Sequence, residues 1–155
     1  MEKKYKTIKG LYKAYTANRI TREEMERQLL LLYISNNDMV NTDESFKLFD
    51  SVNGTLFIDK NDVIEFNELP SIVTLYRGQN TEDLDGISWT TDFEIAKKFA
   101  ARHKLTINDE DGECIEAGVL KVEVPKEQIK AYTNNRNEKE CIITESNDSE
   151  WVLTF

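Results

Sequence analysis

The chain has 155 residues, enough for one domain with a real core and too few for two ordinary ones. A composition of 39% apolar and 32% charged residues excludes a disordered chain, and no apolar run approaches the roughly 20 residues that a membrane span needs. A net charge of −9 argues against broad binding to nucleic-acid backbones, because the electrostatic term that dominates such binding would be repulsive.

The opening stretch MEKKYKTIKG has no apolar core of the kind a signal peptide needs, so the expectation is an acidic cytoplasmic protein. Charge is unevenly spread. Residues 1–27 hold eight Lys or Arg against four Glu, a net of +4, which leaves −13 on the other 128 residues. Cys114 and Cys141 have neither CxxC spacing nor a His-rich partner, so they read as free buried thiols rather than a disulfide or a metal site.

Ile8, Leu11, Tyr12 and Tyr15 fall at helical spacing and predict an amphipathic helix over 4–17. Thr21 and Glu24 form a capping box for a second helix reaching about Ser35. Its run of Met25, Leu29, Leu30, Leu31, Leu32, Tyr33 and Ile34 covers more than one face and so needs two apolar partners. Asn36 to Asp38 reads as a loop, and Thr42 is placed to cap a third short helix carrying Phe46, Leu48 and Phe49 and ending near Asn53-Gly54. A calcium loop around Gly54 fails on spacing: with Gly54 sixth, Phe49 is first and Lys60 twelfth, where carboxylates are needed.

Beyond Gly54 the pattern turns extended. Residues 56–58, 63–66 and 72–76 read as strands, 86–90 as a brief strand, and Asp92 to His103 as a helix packed on a sheet. His103 at its end reads as structural. Asn108 to Gly112 is a turn, Gly118 to Val124 a strand, 126–132 a turn-helix connection, 133–137 a polar loop, 139–144 a strand. Trp151 to Phe155 reads as a closing strand, because its aromatics would be costly to leave exposed.

Three clusters could carry chemistry. Arg77 beside Gly78 at a strand end pairs a fork of donors with a residue lacking Cβ, suited to phosphate or ribose oxygens and to close backbone approach. Ser88 and Thr90 face one way on their strand, with Trp89 turned to the core. Glu138 and Glu140 stand on alternate strand positions of a third element, 137–143, and so share one face. Each also has a plain structural reading: an ion-pair partner, β-favourable positions, a solvated acidic face.

In this order, Arg77, Ser88-x-Thr90 and Glu138-x-Glu140 resemble the three signature motifs of the arginine-serine-glutamate class of ADP-ribosyltransferases, over about residues 70–145. YRG, GISWTTD before a helix, and VEVPKEQIKAY before EKECII are similar to the small members carried by phages and prophages. The resemblance implies an α+β fold with a split β-sheet core (69–155) preceded by an N-terminal helical segment (1–68). It implies NAD as substrate, no metal, Arg77 and Gly78 as NAD-binding, Ser88 and Thr90 for the ribose, Glu140 as catalytic and Glu138 as receiver of the acceptor's proton. Glu-x-Glu implies an arginine acceptor on an intracellular, host protein. Two features depart from the pattern. Only ten residues separate Arg77 from Ser88, without room for the helix many members place there, and residues 1–68 match no motif of the family. The alternative is a non-catalytic acidic inhibitor or binding protein on the same scaffold, whose −13 would dock on a basic groove; recognition of ADP-ribose without turnover is a third reading.

Overall fold

The computed structural model describes residues 4–35, 43–80, 86–106, 116–145 and 147–154, with backbone alone for 103–106. The expected loop at 36–38, Thr42, the turn at 108–112, Cys114, Phe155 and the His103 side chain lie outside the described residues. The first helix starts later than its apolar spacing predicts. Thr7 is extended and its hydroxyl oxygen accepts from Gly10 N, so the cap sets α1 at Ile8–Thr16. The capping box of α2 (Arg22–Ser35) forms as expected, Glu24 N donating to Thr21 Oγ1 at 3.1 Å and Thr21 N to Glu24 Oε1 at 3.4 Å. In α3 (Asp43–Asp50) Leu48 and Phe49 are buried, whereas Phe46 is exposed.

Ile8, Leu11, Met25, Leu29, Leu32, Leu48 and Phe49 form one cluster that also takes in Ala131 and Ile142 from the sheet. The two-sided apolar surface of α2 is thus satisfied by the other helices on one side and the sheet on the other. Truncating a side chain such as Leu29, fully buried here, costs about 2–5 kcal/mol in such a setting.

Residues 63–66 are not a strand. Asp59 is extended and its carboxylate accepts from Asp62 N, which starts α4 (Lys60–Asn67). A four-residue apolar run cannot tell strand from helix by periodicity; the Asp cap and the buried pair Asp62 and Phe66, four apart, decide for helix. The segment before it is likewise no full strand, since Leu56 makes a single parallel bridge to Ala131.

Five helices and a six-stranded antiparallel sheet make up the described residues, an α+β arrangement. The strands are β1 (Ile72–Asn80), β2 (Ser88–Thr90), β3 (Ala117–Pro125), β4 (Ala131–Thr133), β5 (Glu140–Ile142) and β6 (Ser149–Thr154), in the order β4-β5-β2-β1-β3-β6. The 126–132 connection is shorter than expected: a 3₁₀ turn at Lys126–Gln128 is followed directly by β4, which contains Tyr132. β6 is an edge strand rather than a buried closure. Trp151 is 37% and Val152 41% exposed, because β6 lies at the sheet edge with β3 as its one partner among the described strands, and only Leu153 reaches the cluster under α5.

Register partners share a face, so Tyr76, Thr90, Glu140 and Thr133 form one row across four strands. α1–α3 cover this face at the β4–β5 end through Ile142 and Ala131, and α5 (Phe93–Thr106) covers it at the β1–β3 end through Ala96, Ala100, Tyr76 and Val119. The opposite face, with Val73, Leu75, Val122, Val124, Tyr132 and Cys141, packs on Phe66 of α4. Trp89 belongs to this second layer, as its alternation predicts. The gap between the two helical groups on the first face is where the candidate site lies.

Candidate active site

β1 and β2 pair only at Tyr76 and Thr90 and then diverge. By the pleat, Arg77 leaves β1 on the opposite side from Tyr76 and Glu140. Its guanidinium turns toward β2, donating from Nε to Gln79 Oε1 at 2.6 Å and from Nη1 to the Ser88 carbonyl at 2.7 Å. It lies against Gly86, where any Cβ would strike the guanidinium carbon and nitrogens. Arg77 therefore braces the point at which the sheet opens.

Ser88 Oγ donates to Glu140 Oε2 at 2.6 Å, and Arg136 Nη2 bonds Glu140 Oε1 at 2.6 Å. Both carboxylate oxygens of this 4%-exposed residue are thus held, one by a hydroxyl and one by a cation. Thr90 Oγ1 donates to the Glu138 carbonyl at 2.7 Å and accepts from Asp92 N at 3.1 Å. Thr90 ties the acidic turn to the start of α5, a task distinct from the ribose contact expected of it. Asp92 in turn caps α5, its Oδ1 accepting from Glu94 N and Ile95 N.

Glu138 is not on a strand. β5 begins at Glu140, and Glu138 stands in a turn between Asn137 (φ 57°) and Lys139 (φ 46°), both left-handed. Asn accepts that conformation readily and Lys does not, so the turn is held by outside bonds: Asn134 N donates to Asp62 Oδ1, Lys139 N to Asn134 Oδ1, and Thr91 N to the Lys139 carbonyl. The two carboxylates meet through Arg136, whose Nε is 4.0 Å from Glu138 Oε2, rather than through a shared strand face.

These groups surround one cleft of about 320 Å³, lined by Tyr33, Tyr76, Arg77, Gly78, Gln79, Ser88, Trp89, Thr90, Ala96, Phe99, Arg136, Glu138 and Glu140. The size is within the range of small-molecule sites. All six residues singled out in the sequence border it. A larger cavity, about 400 Å³ between α2 and residues 56–58, has a mainly aliphatic and aromatic floor with Glu23, Glu26 and Arg27. Unlike the first, it has no hydroxyl-bearing side chain in its lining.

Gly78 lines the cleft, but the absence of its Cβ is demanded by packing. A Cβ there would run into Ala96 O and Ala100 N, so glycine is what allows α5 to lie close on β1. Arg136, Tyr33 and Gln79 escaped the sequence reading. Arg136 falls in an apparent polar loop, Tyr33 in a helix read as core, and Gln79 just past the strand end expected at Gly78; β1 in fact continues to Asn80, which puts Gln79 on the Arg77 side by alternation.

The electrostatics follow from burial and this cluster. Burial, joined by the charge of Glu140, holds the Glu138 carboxyl above the usual carboxylate range against the opposing pull of Arg136 and Arg102. Burial would lower the Arg136 guanidinium, but the charge and hydrogen bond of Glu140, then Glu138, keep it above its ordinary value. Burial, then the charge of Glu140, pushes the Tyr33 phenol well up, and burial does the same to the Cys141 thiol.

Among the described residues no group of three or more His, Cys, Asp or Glu is placed to hold a metal, and no helix is long and apolar enough to cross a membrane. No family model, curated protein or solved structure matches the chain.

Proposed function

We propose that the chain is a mono-ADP-ribosyltransferase with a split-sheet core, using NAD to modify a protein inside the cell, of the host if phage-borne, with arginine as the first acceptor to test. One observation carries the reading: Glu140 is buried, oriented by Ser88, and borders a cleft that Arg77 and Glu138 also line. A buried carboxylate fixed by a hydroxyl can hold a ribose hydroxyl and stabilise positive charge developing at the neighbouring anomeric carbon. As the bond from that carbon to nicotinamide breaks, nicotinamide leaves with the bonding electrons. The acceptor nitrogen bonds to the carbon and gives its proton to Glu138. Arg77 steadies the strand junction that carries Ser88, and Arg136 bridges the two acids and offsets their mutual repulsion.

The test is incubation of the full chain with labelled NAD and lysate, comparing wild type with Glu140→Gln. Labelled protein from wild type and not from the variant is expected; equal labelling by both removes Glu140 from the mechanism. Nicotinamide release without labelled protein would make the chain a hydrolase.

A second reading has one observation in its favour. Glu138 and Glu140 are already compensated by Arg136, as a binding scaffold of this fold would have them. A non-catalytic acidic protein predicts a stable host complex that weakens with salt and survives loss of Glu140.

A further inference from the structure

Tyr33 belongs to α2, in the segment for which the sequence offers no functional motif, yet it lines the cleft. Its ring is 1% exposed and set edge-on to Phe49 with centroids 5.2 Å apart, inside the cluster of Leu29, Leu32 and Ile142. Phenylalanine would fill that position equally well. The hydroxyl is buried and makes no hydrogen bond of ordinary length and angle among the described residues, although Ser88 and Glu140 both stand close enough to interact with it weakly. The polar groups around it already make their stronger bonds elsewhere: Ser88 donates to Glu140, Arg136 Nη2 bonds Glu140, Thr90 donates to the Glu138 carbonyl, and Arg136 Nε, likewise buried without a hydrogen-bond partner, is a donor and offers the phenol no acceptor. A buried donor without an acceptor is unfavourable relative to the same ring without the oxygen, so its presence calls for a use outside the fold.

We propose that the Tyr33 hydroxyl binds ligand directly, recognising a sugar hydroxyl together with Glu140, which makes α2 part of the site; this rests on reading the cleft as an NAD site. The chemistry selects the class. The phenol stays protonated at neutral pH, its burial and the Glu140 charge both favouring the neutral form, so it offers a donor. Glu140 as a carboxylate offers only acceptors. A ligand hydroxyl accepts from one and donates to the other at once. A phosphate or carboxylate would meet the Glu140 charge, and a carboxamide could satisfy both groups only by using its oxygen and its NH₂ together, whereas a single hydroxyl oxygen does both.

Calorimetric titration of the full chain and of Tyr33→Phe with NAD and with ADP-ribose, plus thermal unfolding of both without nucleotide, tests this. The variant is expected to unfold at the same or a higher temperature and to bind about 10-fold more weakly, equivalent to about 1.4 kcal/mol. Unchanged affinity overturns the proposal. A lowered unfolding temperature, or a variant that does not fold, assigns the hydroxyl to the fold and overturns it as well. Wild type that binds ADP-ribose through Tyr33 but never turns over NAD sinks the transferase reading and leaves Tyr33 standing; binding of neither nucleotide sinks both.

Discussion

Ser88 and Glu140 meet diagonally across the β2–β5 ladder, with Oγ 2.6 Å from Oε2, although the directly opposed pairs are Ser88 with Ile142 and Thr90 with Glu140. The diagonal matters because it draws the carboxylate toward the open end of β2, where β1 has already diverged, instead of letting it pair with Thr90. If Glu140 stabilises developing positive charge, Glu140→Gln lowers NAD turnover by about 10²–10³-fold. Ser88→Ala, which leaves the acid but frees its rotamer, costs about 10-fold, with the larger part in kcat. Steady-state nicotinamide release measures both.

The raised Glu138 carboxyl makes a signed prediction in pH. Its folded form keeps a proton where the unfolded chain has lost it, so its contribution to stability falls as pH rises from the ordinary glutamate value through the raised one. Glu138→Gln should flatten that part of the stability profile in urea titrations at stepped pH. If Glu138 receives the acceptor's proton as proposed, transfer to an arginine acceptor needs it ionised, and the acid limb of transfer is expected above the usual carboxylate range. The variant loses that limb and retains nicotinamide release.

Arg136 and Glu140 form a short pair in which the acid is almost wholly buried. Arg136→Ala strips a buried carboxylate of its cation and is expected to destabilise the fold by about 1–3 kcal/mol, a discounted value because the guanidinium is itself partly exposed. Arg136→Lys restores charge without the planar fork and recovers only part of the loss. Chemical denaturation at neutral pH checks both.

Gly78 and Gly86 separate folding from function. Gly78→Ala pushes a methyl into the α5 backbone and is expected to cost stability, about 1–3 kcal/mol or more. Gly86→Ala meets the end of a flexible side chain, so it displaces the Arg77 guanidinium and weakens nucleotide binding with a smaller change in unfolding temperature. Thermal unfolding and NAD titration of the two variants should rank them in opposite order.

The helices with strong local signals were legible without coordinates. Thr21 and Glu24 announce α2 because a capping box is made within four residues, α5 carries helical periodicity, and β3 is a β-branched run stopped by Pro125. α4 was not legible, since Val63 to Phe66 carries too few residues to distinguish periods of 2 and 3.6, and its deciding feature is the Asp59 cap. Glu138 was placed on a strand for a related reason: two acids two apart look alternating, and nothing local shows that Asn137 and Lys139 reverse the backbone between them.

Arg77, Ser88 and Glu140 could be singled out from residue type and from the resemblance of their order to a family's motifs, both of which are read along the chain. That they border one cleft depended on long-range pairing: β5 docking on β2 brings residues 52 positions apart within hydrogen-bond distance. The same docking explains why Tyr33 and Arg136 came to light only in three dimensions. An apolar-looking helix position and a polar loop residue take on a role when tertiary packing sets them beside a buried carboxylate, and no local pattern encodes that neighbour.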